Sequence, residues 1–460
     1  MIRLTNKLSA VKNSDFKVVF NTISETFIFI PNEAVGENRQ DATEQDLITA
    51  SSNKKILCYD YPSFISVIRE ATARRIPSEF TVIYDNSKLY VFQDPMYTQL
   101  NQIPICIYTP ESDAILDFAL KLFRIDDNKN FVRINSTVDN YYSFIAPWQV
   151  LEVLFAKADI EGNGEEMFTK FYKPKKDGGQ REIIAPHEKI KAALQDLNAM
   201  LQKVYDKRNS DFQVAYKKNK NVKSGAKIHT NHKYIFNLDL HNFYPSCKKE
   251  LVKKYTDFLF AFSFNRKFIE DEFFKVITID DGLFIGSPVS GTLANTIISS
   301  AVSYMNNICK KHGMTLSVYA DDISISSDKF IVKDFAIKLF NEAFGKYNLE
   351  SYFTLNEKKS VGFSGCNRKV TGVTINGDDK ITVSRKYYRN IRVEIDHLSK
   401  GDSSIDIQVL RGKIAYATML DESGKIYNYL NKYIDTVKEY NLCSDEKMAE
   451  LAERLGKKEN

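Results

Sequence analysis

Ser317-Val318-Tyr319-Ala320-Asp321-Asp322-Ile323-Ser324-Ile325-Ser326 is the stretch on which the reading of this chain turns. Two β-prone runs flank a short turn, and the turn carries adjacent aspartates. A hairpin of this form crowds like charges at a tight tip, where each carboxylate resists desolvation and its neighbour. A cation beside the oxygens relieves that repulsion. A solvated turn relieves it as well, so the pair alone does not decide.

A second carboxylate narrows the choice. Tyr234-Ile235-Phe236-Asn237-Leu238-Asp239-Leu240 is another apolar strand, and it ends in an aspartate. Aspartates at the ends of neighbouring buried strands are how a protein builds a site for two Mg²⁺ ions about 3.5–4 Å apart. Such ions activate an attacking 3′-hydroxyl and steady a leaving pyrophosphate. Mg²⁺ prefers a few carboxylates plus substrate phosphates to an all-protein cage.

The surroundings fit a polyanion. The chain has 460 residues, enough for two or three domains, with a hydrophobic fraction of 43% and an aromatic fraction of 12%. Residues 1–150 hold 15 Lys+Arg against 18 Asp+Glu, and the remainder 49 against 41. The basic excess therefore lies in the C-terminal two-thirds. Residues 216–233 contain Lys217, Lys218, Lys220, Lys223, Lys227 and Lys233, two histidines and no acid. They form either a solvated loop or a phosphate-facing surface whose affinity falls steeply with salt.

Other classes recede. No apolar run approaches the ~18–20 residues of a membrane span. The start, Met1-Ile2-Arg3-Leu4-Thr5-Asn6-Lys7, lacks the basic-then-apolar layout of a secretory signal. Six cysteines stand singly, without a CxxC pair, so reduced thiols and a cytoplasmic location are expected rather than a zinc ribbon or a disulfide framework.

Residues 1–140 mix strand-like runs (Phe27–Ile30, Lys55–Tyr59, Phe80–Tyr84, Leu89–Phe92) with helical spacing over Pro62–Arg75 and Ser112–Phe123. Asp85-Asn86-Ser87-Lys88 is expected to turn a hairpin. This is an α+β domain without a chemical motif, and its acidity suits a partner protein or a second copy better than RNA. Trp148–Ala156, Tyr387–Leu398 and Ile405–Met419 carry apolar residues at helical period.

Taken together, the motifs resemble those of reverse transcriptases. Tyr319-Ala320-Asp321-Asp322 is similar to the family's catalytic hairpin. Asn237-Leu238-Asp239-Leu240-His241-Asn242-Phe243-Tyr244-Pro245-Ser246 is similar to its first aspartate motif. Lys173 to Pro186 resembles the basic fingers hairpin, and Leu283 to Asn295 the Gly/Pro/Ser loop that leads into a helix. Asn356-Glu357-Lys358-Lys359-Ser360 and Val370-Thr371-Gly372-Val373 resemble the late palm motifs. All six occur in family order across residues 170–376. The similarity is closest to bacterial retron, group II intron and phage-defence enzymes. The Val-Thr-Gly tripeptide is typical of retrons, and Ala226-Lys227-Ile228-His229 resembles a retron Asn-Ala-x-x-His motif with Gly225 in place of the Asn.

The resemblance implies an α+β right-hand polymerase: fingers and palm over 150–384, a helical thumb over 385–460, and the additional N-terminal domain at 1–140. It implies that Asp239, Asp321 and Asp322, with the Leu240 carbonyl, hold Mg²⁺ (or Mn²⁺), and that Lys359 serves as a general acid near the pyrophosphate. Tyr244 would lie under the sugar and select deoxynucleotides. Two glycines let the hairpin at 178–179 turn sharply, aiming Lys175 and Arg181 at triphosphate. Gly286 and Ser287 would complete the nucleotide site, where small residues let backbone approach template and nucleotide. Ile285 stands where many relatives carry Gln. Lys217, Lys218, Lys220, Lys223, Arg389 and Arg392 would meet nucleic acid. The expected activity is RNA-directed DNA synthesis from deoxynucleoside triphosphates, templated by a dedicated non-coding RNA in antiphage defence. Template-independent or protein-primed synthesis at the same site, and a non-catalytic RNA-binding module, are the alternatives.

Overall fold

The computed structural model describes residues 106–123, 131–136, 141–175, 178–206, 210–260, 265–444, 446 and 449, together with 2–4, 16–21, 26–31, 57–58, 63–64, 78–85 and 87–93. Only Ser63 and Phe64 of the helix expected over Pro62–Arg75 fall among these. The chain divides into two compact units: Met1–Val204 with Cys247–Leu293, and Tyr205–Ser246 with Ala294–Asn460.

In the first unit, β1 (Ile2–Leu4), β2 (Phe16–Asn21) and β3 (Thr26–Pro31) form an antiparallel sheet. A second sheet contains β4 (Leu57–Cys58), β5 (Ser78–Asp85), β6 (Lys88–Gln93), β7 (Cys106–Tyr108) and β8 (Phe131–Ser136), in the order β4-β7-β6-β5-β8. β5 and β6 pair with Asp85 opposite Lys88, so the anticipated hairpin closes there. Of the strand expected over Lys55–Tyr59, only Leu57–Cys58 fall among the described residues, and they are extended.

Helices Asp113–Phe123 and Tyr141–Gly162 pack together in this unit. Phe64 stacks on Tyr108 at 4.6 Å between centroids, and both rings meet Phe155 edge-on. That buried triad joins sheet to helix through large apolar area and favourable ring geometry. Helix Tyr141–Gly162 also packs on Arg266–Ile277, where Lys157, almost wholly buried, pairs with Glu272. The hairpin β9 (Phe168–Pro174) and β10 (Gln180–Pro186) is followed by helix Glu188–Tyr205.

The second unit holds the sheet that matters most here. β11 (Tyr234–Asp239), β12 (Thr315–Tyr319), β13 (Asp322–Ser327) and β14 (Val361–Ser364) run in the order β12-β13-β11-β14, all antiparallel. β15 (Arg368–Val370), β16 (Val373–Ile375) and β17 (Ile381–Thr382) form a small second sheet. The β15–β16 turn is Thr371-Gly372, both at positive φ (48° and 78°), as a type I′ hairpin requires.

Helices Arg385–Ser399 and Ile407–Leu420 lie where the periodicity expects them, capped by the side chains of Ser384 and Asp406. Ile391, Ile395 and Leu398 of the first and Leu410, Ile414 and Ala417 of the second share one core with Val370, Val373 and Ile381. The C-terminal helices and the β15–β17 sheet therefore form a continuous body.

Candidate active site

Alternation along the strands builds the site. Neighbouring residues of a strand face opposite ways, so the registers put Ser317, Tyr319, Asp322, Ser324, Ser326, Asn237 and Asp239 on one face. Leu316, Val318, Ile323, Ile325, Phe236 and Leu238 make the opposite face, and all six are buried. One face is therefore core and the other carries chemistry.

Tyr319 pairs with Asp322, leaving Ala320-Asp321 as a two-residue turn. Ala320 adopts φ 54° while Asp321 stays out of the positive-φ region, the pattern of a type II′ turn. Glycine is the unstrained occupant of that first position, so alanine stores roughly 1 kcal/mol at the hairpin tip.

Asp239 and Asp322 are direct cross-strand partners. Opposed residues in an antiparallel pair have Cα atoms ~4.5–5.5 Å apart with side chains on the same side. The two carboxylates therefore share one small space, and Asp321 adjoins them in the turn. Burial, then Asp321, then Asp239 push the Asp322 carboxyl up to about 7, against the opposing charge of Lys359. Burial also raises Asp239, opposed by Lys359 and by a hydrogen bond from the Asn356 side chain.

The turn at 356–360 cradles Asp239. Its carbonyl accepts from the Asn356 N–H at 2.7 Å, and its own N–H donates to Ser360 Oγ at 3.3 Å. Ser360 in turn donates to the Asn356 carbonyl at 3.0 Å. The Leu240 N–H donates to the Asp321 carbonyl at 3.0 Å, which locks the end of β11 to the hairpin tip. These contacts give Asn356, Ser360 and Lys359 a physical reason to stand together.

His229 clasps the same face. It is fully buried, with Nδ1 bonded to Ser326 Oγ and Nε2 to Ser317 Oγ, both at 2.7 Å. Burial, aided by His232, lowers its pKa to about 3, so the imidazole is neutral, one nitrogen donating and the other accepting. The histidine of the retron-like motif is thus a structural pin between β12 and β13.

Further around this unit, Phe212–Val214 lies beside β12: Val318 donates to the Phe212 carbonyl, and Val214 to the Val318 carbonyl, each at 2.8 Å. The chain then reaches Tyr216, whose hydroxyl hydrogen-bonds that of Tyr244. Of the lysine-rich stretch, Lys217 donates to the Ser210 carbonyl and Lys223 to the Met419 carbonyl, both at 2.9 Å, while Lys218 and Lys220 are exposed. The stretch is ordered, with helix Val222–Lys227 capped by Asn221. Arg389 and Arg392 are both exposed, and Arg392 also lies over Tyr388 and Tyr429, 5.8 and 5.1 Å from their ring centroids.

In the first unit, Arg181 pairs with Lys173 across β9–β10, and Lys173, Lys175 and Arg181 are all exposed. The Lys175 backbone N–H donates to the Gly179 carbonyl at 2.6 Å, and Gly178 takes φ 84° at the tip. Gly286 is explained by close packing on this hairpin. At φ 120°, a Cβ there would sit 2.1 Å from the Ile184 carbonyl oxygen, and the Ile184 N–H donates to the Ile285 carbonyl at 2.9 Å. Ser287 is buried, and its hydroxyl has no partner among the described residues.

The donor chemistry suits a divalent cation. Three carboxylates act on one another here, and burial together with the charges of Asp321 and Asp239 holds the Asp322 carboxyl toward neutrality. Among the described residues no three His, Cys, Asp or Glu groups close into a ready-made metal cage, as expected where substrate phosphates complete the shell. Neither the pairing of Tyr216 with Tyr244 nor the depth of the His229 clasp is visible in the local sequence. The alternating serines of 317, 324 and 326 could have announced a polar face.

Comparison with known proteins closes the question of family. Residues 173–381 match the model of the family described as reverse transcriptase (RNA-dependent DNA polymerase). The retron Ec73 reverse transcriptase of Escherichia coli is 30% identical over 282 residues, covering 57% of this chain and 86% of that protein. The Ec83 enzyme is 29% identical over 262 residues (54% and 81%), and the Ec86 enzyme 27% over 259 (55% and 76%), both from Escherichia coli. The paired carboxylates, the hairpin that presents them and these relatives agree: the chain belongs to the reverse-transcriptase family, on its retron-type bacterial branch, and is an RNA-directed DNA polymerase.

Proposed function

We propose that this chain adds deoxynucleotides to a DNA 3′ end on a dedicated non-coding RNA template, by two-metal phosphoryl transfer, and that the product serves antiphage defence. The observation that carries the chemistry is the cross-strand pairing of Asp239 with Asp322 beside Asp321. These three carboxylates, with the Leu240 carbonyl, would hold the cations. Bound Mg²⁺ would activate the attacking hydroxyl and stabilise the leaving pyrophosphate, and Mn²⁺ suits the same oxygen donors.

The remaining roles fall to the chain itself. Lys359 offsets the carboxylate charge and can donate a proton to the departing oxygen. Tyr244 lies under the incoming sugar and excludes a 2′-hydroxyl. Lys175 and Arg181 take triphosphate, with Gly286 and Ser287 shaping the nucleotide pocket. Lys218, Lys220, Arg389 and Arg392 offer exposed charge to nucleic acid. The RNA template and the defence role rest on the likeness to retron enzymes.

Primer extension on an RNA template with each deoxynucleotide singly, in Mg²⁺, tests the reading. Loss of incorporation is expected on changing Asp321 and Asp322 to Ala with circular dichroism unchanged; undiminished incorporation overturns it. Incorporation that persists without added RNA favours untemplated addition. Sequencing co-purified nucleic acid identifies the template, and plaque counts with wild-type and Asp-to-Ala protein test the defence role.

A further inference from the structure

We infer that Tyr216 is a positioning residue for sugar selection, holding the Tyr244 ring where it meets the nucleotide's 2′ position. The inference rests on the reading of Tyr244 as the sugar gate and adds the group that fixes it.

Three observations converge on Tyr216. Its hydroxyl hydrogen-bonds the Tyr244 hydroxyl across 28 residues of sequence. Its backbone sits at φ 61°, a conformation that bulky residues adopt only where the surroundings impose it. The imposition is visible on both sides. Val214 is tied to Val318 of β12 by a 2.8 Å hydrogen bond, and the Lys217 ammonium is tied to the Ser210 carbonyl at 2.9 Å. Tyr216, itself 40% exposed, therefore lies in the turn just past the segment bridged to β12, with its backbone anchored on both sides.

Its electrostatic surroundings agree with that place. Desolvation, countered by the Tyr244 hydrogen bond and reinforced by Asp321 and Tyr319, raises its phenol above the ordinary range, so it stays a neutral O–H group. The Tyr244 ring is half-buried, with Phe243 leaning on it at 5.4 Å. A side chain that discriminates by clash must not swing aside, because a ring free to rotate yields to the extra hydroxyl rather than rejecting it. The phenol–phenol hydrogen bond supplies that restraint from a fixed point. A merely structural tyrosine would affect all nucleotides alike, whereas this one bears on the sugar.

The test measures kcat/KM for dATP and ATP on an RNA template with a DNA primer, for wild type, Tyr216→Phe, Tyr244→Val and the double variant. Tyr216→Phe keeps the ring and deletes one hydrogen bond, so the dATP-to-ATP ratio is expected to fall about five- to ten-fold. In the Tyr244→Val background the same change adds nothing, since the two residues act as one unit. A wild-type ratio in Tyr216→Phe, or dATP and ATP reduced in equal proportion, overturns the inference while Tyr244→Val still shifts the ratio. If Tyr244→Val leaves the ratio untouched, the sugar-gate reading fails and this inference falls with it.

Discussion

Asp239 and Asp322 face each other directly across β11 and β13, although 83 positions separate them in the chain. Ladder geometry, more than either residue's own rotamer, brings their carboxylates together. Moving either strand by one residue would send one carboxylate into the apolar core. The site is therefore as secure as the strand register, and the register is held by Phe236, Leu238, Ile323 and Ile325 beneath it.

Asp322→Asn keeps the shape and removes one charge. Nucleotide incorporation should fall by on the order of a thousand-fold, while thermal stability in EDTA should rise, by on the order of 2 kcal/mol, as repulsion with Asp239 and Asp321 is relieved. Primer extension and thermal melting measured on the same preparation check both directions.

The raised Asp322 carboxyl sets a pH signature. In the unfolded chain it deprotonates near 3.8, and in the fold near 7. Between these values the folded state binds more protons, so metal-free stability should fall as pH rises from about 4 to about 7. Mg²⁺ needs the ionised form, so the stabilisation it confers should grow through that same window and be lost in Asp322→Asn. Melting curves with and without Mg²⁺ across this range would show it.

His229→Ala should cost about 2–4 kcal/mol, because Ser317 and Ser326 lose their shared partner inside a buried face and a cavity remains. With its pKa near 3, mild acid should not release the clasp, so wild type should show no histidine-like transition near pH 6 from this residue. Chemical denaturation and histidine NMR titration test the two statements.

The lysines of 217–223 should separate into two kinds. Lys218→Ala and Lys220→Ala should each lower the salt dependence of RNA binding by about one unit of slope. Lys223→Ala should instead loosen the C-terminal helices, since its ammonium is bonded to the Met419 carbonyl. Filter binding over a salt series, beside a melting curve, distinguishes them.

How much of this was legible beforehand follows from the range of each interaction. The hairpin at 319–322, the strand ending at Asp239 and the glycine tip at 178–179 announce themselves through period-two patterning and turn residues, which are local. The capped helices at 385–399 and 407–420 do so through helical spacing. His229 bonds to serines 88 and 97 positions away, and Tyr216 to a tyrosine 28 away. No local pattern encodes such partners. Arg392 shows the same limit: its place on a basic helix is legible, but its position over Tyr388 and Tyr429 is not. Gly286 is legible as a place where small size matters, but its close approach to the Ile184 carbonyl, 102 positions away, is not.

That last contact constrains how the protein can change over generations. With a carbonyl oxygen 2.1 Å from where any Cβ would stand, position 286 is closed to drift: every single substitution must displace backbone. Gly178, at the tip of the same hairpin, has no atom of the described residues within 4 Å of its own would-be Cβ, so among them only its φ resists change there. Descendants of this sequence can therefore vary the tip of the hairpin while its seat stays fixed, and a designer who wishes to alter nucleotide handling should build at 178 and leave 286 alone.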